Sequence, residues 1–204
     1  MRWAAWPPTG EGLPKAPDVS FVEPALRRRL GPLARMMLHV GQECARDVPE
    51  ARLVFASRHG ELQYTLLLLR SLAMDEALSP TVFSLAVHNA ASGLFSILRR
   101  DRSASTALAA GGETLGHALL EASCQLATEA QIPVLVVYGD APLPGEYARY
   151  RDGEDLDDGP GCALSVLLSA EAERRVSIDV RPAGHGGARD GGTQAASFIR
   201  FLAD

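Results

Sequence analysis

One short segment, Pro133–Tyr138, constrains the fold most strongly, because no position in it is polar or charged apart from the tyrosine hydroxyl. Such a strand has to be covered on both faces, which is typical of a parallel sheet between two layers of helices. Four further runs of strand length, at 52–57, 82–87, 105–110 and 162–168, alternate with stretches of helical periodicity. The alternation predicts an α/β fold with a mostly parallel five-stranded sheet, helices on its faces and an antiparallel edge.

The remaining segments are assigned from periodicity and turn residues. Helices are expected at 32–44, 61–74, 94–100, 113–130 and 195–202. Short strands are expected at 2–6 and 176–180, the second pairing antiparallel with 162–168. Residues 1–24 are expected to form an irregular lead-in, and 184–204 a flexible glycine stretch with a terminal helix, so the chain 1–204 is interpreted as a single domain.

Composition excludes several classes of protein. With 204 residues, of which 47% are apolar and 22% charged, the chain can bury a core, and disorder over most of its length is excluded. The net charge of −5 does not favour nucleic-acid binding. The scattered cysteines, Cys44, Cys124 and Cys162, form neither a disulfide framework nor a zinc pattern, and are expected to be reduced and mostly buried in a cytoplasmic protein. Neither a membrane span nor a signal peptide is predicted.

The segment 79–100 carries the pattern with the most chemical meaning. It is interpreted as a buried strand, 82–87, that passes through a tight turn, 88–93, into an apolar helix. A helix N-terminus presents free amides and a partial positive charge. A nucleophile placed in such a turn would be activated.

Together with four other stretches, this segment resembles the N-terminal half of the β-ketoacyl synthase family, which has the thiolase fold. In that family the nucleophilic cysteine lies in a strand-to-helix turn that usually reads Thr-Ala-Cys-(Ser/Ala)-Ser-Gly. The matching stretch is His88–Gly93, so Ala90 stands in the place of the cysteine. The other matching stretches, in the family's order and covering roughly 25–170 with the first, are 35–37, 53–60, 106–113 and 161–168, of which 106–113 resembles the family's Ala-Gly-Gly-Thr-Glu strand.

The resemblance implies a catalytically silent protein. Ala90 has no nucleophilic atom, and the chain ends before the half that carries the family's two catalytic histidines. Decarboxylative condensation needs the thiol and the histidines together. The chain therefore resembles a chain-length-factor-like subunit that pairs with an active ketosynthase in aryl polyene, polyketide or fatty-acid-type biosynthesis. It is expected to have no activity alone, no cofactor and no metal.

The resemblance also implies where partners bind. Dimers of the family are joined through the strand before the nucleophile turn, here 82–87 with Phe83, which is followed by Phe95 on the next helix. An acyl carrier protein is the second partner that the resemblance suggests. The arginines best placed by sequence to attract it are Arg27, Arg28, Arg29, Arg99, Arg100 and Arg102.

Three residues of the turn have two interpretations each. His88, Asn89 and Ser92 are expected to line an acyl channel or the subunit interface. The alternative for His88 and Asn89 is that they only satisfy backbone groups around the turn. For Ser92 the alternative to packing is a role as nucleophile, which would make the chain a small acyl-thioester hydrolase or transferase that acts alone.

A homodimeric scaffold without a ketosynthase partner is the third hypothesis.

Weaker signals are given structural interpretations. His59 is interpreted as a polar turn residue, and the acidic run 152–158 as a solvated loop without calcium-site spacing. Gly111-Gly112 lacks the lysine of a phosphate-binding loop, and 185–187 lacks the nucleophile elbow of an esterase.

Overall fold

A computed structural model describes residues 2–7, 15–151, 161–172, 177–178 and 193–203. The acidic run 152–158 and the glycine stretch 184–192 lie outside the described residues, and the strand expected at 176–180 lies mostly outside them.

Five strands form one mixed sheet, which confirms the predicted α/β fold with an antiparallel edge, although the fifth strand is 2–6 and not 82–87. They are β1 (Arg2–Trp6), β2 (Arg52–Ala56), β3 (Ser105–Leu108), β4 (Val134–Asp140) and β5 (Cys162–Leu168). The order across the sheet is β1-β5-β4-β2-β3. β4, β2 and β3 are mutually parallel, whereas β5 is antiparallel to both of its neighbours, β4 and β1. β3 is therefore an edge strand, and its outer side pairs with no strand in the described part of the chain.

Helices cover both faces of this sheet. They are α1 (Pro24–Arg27), α2 (Pro32–Ala45), α3 (Leu62–Ala73), α4 (Pro80–Ala86), α5 (Ala90–Arg99), α6 (Thr114–Thr128) and α7 (Gln194–Ala203). Two 3-10 turns, Gly111–Glu113 and Gly145–Tyr150, precede α6 and follow β4. α2 begins at Pro32, where the missing amide hydrogen costs nothing.

The core lies in two layers separated by β4. All seven residues of that strand are buried, which confirms the prediction of a strand covered on both faces. On one side, α2 and α5 pack against the sheet through residues such as Met36 and Phe95. On the other side, α6 and α7 pack against it through residues such as Leu115 and Leu202.

The prediction of a strand at 82–87 is wrong. The segment forms helix α4, which begins at Pro80 and whose N-cap, Ser79, accepts a hydrogen bond on its hydroxyl from the Val82 amide at 3.4 Å. A short apolar run does not distinguish a strand from a helix. The Ser-Pro pair ahead of it is a helix start, and it decides the local conformation.

No single helix in the described ranges is long and apolar enough to cross a membrane. α4 and α5 together meet the length and composition test, but the two helices are bent by 98° at their junction.

Candidate functional site

The turn expected to correspond to the nucleophile turn lies between two helices. α4 ends at Ala86 and α5 begins at Ala90, with no strand ahead of the turn. Asn89 is the N-cap of α5 and makes no side-chain capping bond. Ser92 is 4% exposed, and its hydroxyl donates to the Asn89 carbonyl at 3.0 Å. This hydroxyl is therefore engaged within the turn and is not presented to solvent as a nucleophile.

His88 ties the same turn to the sheet. Its Nε2 lies 2.8 Å from the carbonyl oxygen of Ser57, the residue after β2. Because a carbonyl oxygen only accepts, this nitrogen donates the hydrogen bond. This hydrogen bond agrees with the interpretation in which His88 satisfies a backbone group around the turn.

An open groove of about 410 Å³ runs beside this turn, between α1, α4 and α5. Its walls include Leu85, Val87, Asn89, Ala90 and Leu94. No histidine, cysteine or acid lines it. The groove can hold an apolar chain, but it supplies no thiol or general base to react with one.

The two phenylalanines expected at the interface occupy opposite environments. Phe83 on α4 is 60% exposed, as an interface residue requires. Phe95 is fully buried, packs against Phe55 with ring centroids 5.5 Å apart, and lies under the Arg99 guanidinium. The expectation that Phe95 contacts a partner is wrong, because Phe95 is a core residue on the inner face of α5.

A buried carboxylate lies at the carboxyl ends of β2 and β4. Asp140 is 6% exposed and accepts three hydrogen bonds, from the Ser57 hydroxyl at 2.9 Å, the Arg58 amide at 2.8 Å and the Tyr138 hydroxyl at 2.5 Å. Burial raises the pKa of Asp140, and its three donors act in the opposite direction. Burial, with the nearby Asp140 charge, also raises the pKa of Tyr138, so its phenol keeps the proton that it donates.

Sequence reasoning missed Asp140. The available signal was an acid at the end of an otherwise apolar strand. Ser57 also donates to Asp140 while its carbonyl oxygen accepts from His88, so the carboxylate and the α4–α5 turn are held by the same residue. The polar groups at the carboxyl ends of β2 and β4 therefore bond to one another within this chain.

A true strand-to-helix turn joins β3 to α6. It reads Ala109-Ala110-Gly111-Gly112-Glu113. Gly111 has a positive φ of 55°, and a Cβ on it would meet nothing within 4 Å. The buried Thr114 hydroxyl closes the turn, because it accepts from the Ala110 amide at 2.9 Å and donates to the Gly111 carbonyl at 2.7 Å.

Comparison with known proteins supplies the family. The sequence matches the family described as β-ketoacyl synthase, N-terminal domain, over residues 3–203. The chain belongs to this ketosynthase family. Among curated proteins, none matches the sequence.

Three solved structures share the fold of this ketosynthase-family chain. A chain from the complex of a ketosynthase with its chain length factor, from Xenorhabdus doucetiae, has a TM-score of 0.72 and 24% identity over 85% of this chain and 79% of that one. A β-ketoacyl synthase from Burkholderia phymatum has a TM-score of 0.60 and 14% identity over 76% of this chain and 46% of that one. A chain from a complex of a type II polyketide ketosynthase with its acyl carrier protein has a TM-score of 0.63 and 14% identity over 78% of this chain and 53% of that one. These matches confirm the predicted thiolase-like fold.

The segment ahead of Ala90 differs from the expected strand-to-helix pattern. In the described part of this ketosynthase-family chain, the turns that lead from a parallel strand into a helix are β2–α3 and β3–α6. Ala90 lies in neither of them. Its assignment to a strand-to-helix turn fails because the segment before it is helical.

The environments of Cys162 and Cys44 in this ketosynthase-family chain disfavour the thiolate form. Burial, followed by the Asp140 charge, raises the pKa of Cys162 to about 12. Burial likewise raises the pKa of Cys44, which lies on α2. Cys124 was expected to be buried and is instead exposed, because α6 turns Leu115 and Ala122 toward the sheet and Cys124 away from it.

Metal binding has no support in the described ranges, where no group of three or more His, Cys, Asp or Glu side chains converges. His59 lies in the β2–α3 turn, as its interpretation as a turn residue expects.

Proposed function

We propose that this ketosynthase-family chain is a non-catalytic subunit, similar to a chain length factor, that pairs with an active ketosynthase and helps to bound its acyl pocket. The α4–α5 turn supports the proposal, because Ala90 stands there in the place of the family's cysteine in the resemblance. The Ser92 hydroxyl of this turn is engaged by the Asn89 carbonyl, and no cysteine, histidine or acid lines the groove beside it.

The edge strand β3 is the proposed place for the partner. The segment 82–87, expected as the strand that joins the dimer, is helical and cannot pair, whereas β3 has an outer side that pairs with no strand in the described residues. β3 lies at the edge of the sheet, and its Ser105 and Ala107 side chains are exposed. An unpaired edge is a template for another strand. An antiparallel strand of the ketosynthase would continue the sheet and satisfy the outward amides of β3.

The groove at the α4–α5 turn is the proposed contribution to the acyl pocket. Asn89 and Ala90 line it, and His88 holds the turn in place through Ser57. Ser92 supports the same turn from within the core. A largely apolar groove that is lined by no cysteine, histidine or acid limits the space for a growing chain without acting on it.

The same proposal implies a biosynthetic pathway and an acyl carrier protein as the second partner. The subunit would serve aryl polyene, polyketide or fatty-acid-type synthesis in the cytoplasm, on chains carried by an acyl carrier protein. Carrier proteins are acidic, and Arg28, Arg29, Arg100 and Arg102 are exposed and able to attract one. Arg99 is instead engaged by hydrogen bonds to Gln42 and Val48.

The experiment is co-expression with the ketosynthase encoded beside this chain, followed by light scattering and a condensation assay. We expect a one-to-one complex, and no condensation of malonyl and acyl thioesters by the isolated chain. Condensation or thioester hydrolysis by the isolated chain would overturn the proposal. A stable homodimer that ignores the ketosynthase would favour the scaffold hypothesis instead.

A further inference from the structure

α3 has an environment that does not match its composition. The twelve-residue helix carries leucine at six positions, Leu62, Leu66, Leu67, Leu68, Leu69 and Leu72, spread around its whole circumference. A helix that is apolar all round is normally buried in a core. Yet none of its residues is buried in this structure.

The contacts of α3 explain this exposure. Among the helices and strands, α3 has its main contact with α4, and we call residues 62–87, which hold these two helices, the arm. Two polar contacts also connect α3 to the rest of the molecule. The Tyr64 hydroxyl donates to the Arg29 carbonyl at 2.7 Å, and Arg70 forms an ion pair with Glu146. None of these leucines belongs to the buried core clusters, although Leu62 lines a small pocket together with Pro32 and Leu33.

The arm leaves a large apolar surface in solvent. Its exposed large apolar residues are Leu67, Leu69, Leu72, Met74, Leu78, Phe83 and Val87. Leu72 and Met74 are 59% and 69% exposed. The set presents roughly 500 Å² if a fully exposed large side chain offers about 150 Å². That is more than half of the ~800 Å² that each partner buries in a stable interface.

We propose that the arm is a docking element that packs against the ketosynthase subunit. This inference rests on the proposed function, and it adds a second contact to the free edge of β3. The two contacts are continuous, because α5 lies between them and touches both α4 and β3. A partner strand paired with β3 brings the rest of that partner alongside α5 and the arm. The leucines of α3, which this chain leaves unburied, are then buried against the partner.

A lipid bilayer fits the arm less well than a protein does. α3 has 12 residues, a length of about 18 Å, whereas a bilayer core is about 30 Å thick. Arg70, within α3, is also engaged by Glu146 of the body, which holds the helix against the protein. A protein surface can match both a short helix and its charged residue.

The test compares two arm variants with a matched control. Leu69 and Leu72 lie one turn apart on α3, so Leu69→Gln combined with Leu72→Gln removes one apolar face without touching the core. Phe83→Gln is a second, independent variant on α4. Phe201→Gln is the control, because Phe201 is 51% exposed on α7, at the opposite face of the sheet.

Each protein is co-expressed with the tagged neighbouring ketosynthase, and the dissociation constant of the purified pair is measured by interferometry. We expect each arm variant to bind at least ~30-fold more weakly than the wild type, as interface hot spots do. The control should bind like the wild type. All variants should keep the wild-type melting temperature, because the replaced side chains are exposed.

Other outcomes separate the two proposals. If the wild type binds the ketosynthase and both arm variants bind equally well, the docking role of the arm is overturned and the proposed function stands. If the wild type does not bind the ketosynthase, both are overturned. If the isolated wild type forms homodimers, or sediments with anionic lipid vesicles, and the arm variants lose this property, the ketosynthase is the wrong occupant.

Discussion

Glu61 is a buried carboxylate that caps a helix other than its own. It is 8% exposed, and its Oε1 accepts a hydrogen bond from the Ala34 amide, in the first turn of α2, at 2.9 Å. A Cβ at Gly31 would lie only 2.6 Å from the same carboxylate, so glycine leaves the room for this contact. Burial raises the pKa of Glu61, although the Ala34 amide acts against that rise.

Glu61 should make stability depend on pH. Its folded pKa lies above the unfolded value, so the folded state binds more protons between the two, and the free energy of unfolding falls as pH rises through that window. Glu61→Gln keeps an acceptor for Ala34 and removes the titration. We expect urea unfolding from about pH 4 to pH 8 to show a smaller decline in the variant. Asp140, whose pKa is also raised, supplies the remaining decline. Equal declines in both proteins would contradict this role of Glu61.

The three thiols should differ in reactivity. With a pKa of about 12, Cys162 has a thiolate fraction roughly 1000-fold below that of an ordinary thiol. Cys44 is buried, whereas Cys124 is exposed. We expect iodoacetamide at neutral pH to modify Cys124 first, as read by peptide mass spectrometry, and Cys124→Ser to remove the fast phase. Fast modification of Cys162 would show that its environment is not the buried one described.

At the scale of single elements, the β3–α6 turn is shaped by Gly111. Its positive φ is costly for any residue with a side chain, although a Cβ there meets no neighbour. Gly111→Cys should therefore lower the free energy of unfolding by about 1–2 kcal/mol. Gly116→Ala is the control, because this exposed position is inside α6 and has equal space. It should raise stability by about 0.5–1 kcal/mol, as measured by urea unfolding. A Gly111→Cys protein as stable as the wild type would show that the turn does not depend on glycine.

The edge strand β3 allows a second test of an element. The carbonyls of Ala104 and Leu108 accept from β2, so by alternation the amide of Ala107 points away from the sheet. Ala107→Pro removes that outward donor and is tolerated at an edge. We expect it to weaken binding to the ketosynthase at least ~30-fold, whereas Ala107→Val, which keeps the amide, binds normally. Equal binding by both variants, measured by interferometry, would exclude strand pairing through β3.

At the scale of the whole molecule, core and surface positions carry different functions. Phe95 is fully buried on the inner face of α5, and Phe83 is exposed on the arm. Phe95→Ala should lower the free energy of unfolding by about 3–5 kcal/mol. Phe83→Ala should change it by less than about 0.5 kcal/mol and should act on ketosynthase binding instead. Denaturant unfolding checks both values, and a large loss of stability in Phe83→Ala would place that residue in the core.

The sequence by itself determined the local features of this protein. The apolar run 134–138 required cover on both faces, Pro32 placed the start of α2, and helical spacing located α6. These features follow from side-chain period and turn chemistry, which act over a few residues. The family could also be identified from local motifs, and residues 3–203 confirm it. The candidate turn was harder, because the run 82–87 suits either a strand or a helix.

Only the tertiary structure decided which distant residues meet. It places β1, paired with β5, at one edge of the sheet and β3, paired with β2, at the other. It gives Asp140 the donors Ser57 and Arg58, which lie more than 80 residues away in the chain. It also leaves the leucines of α3 outside the core. Local patterns cannot encode such neighbours, because burial is set by packing between elements that are distant in the chain.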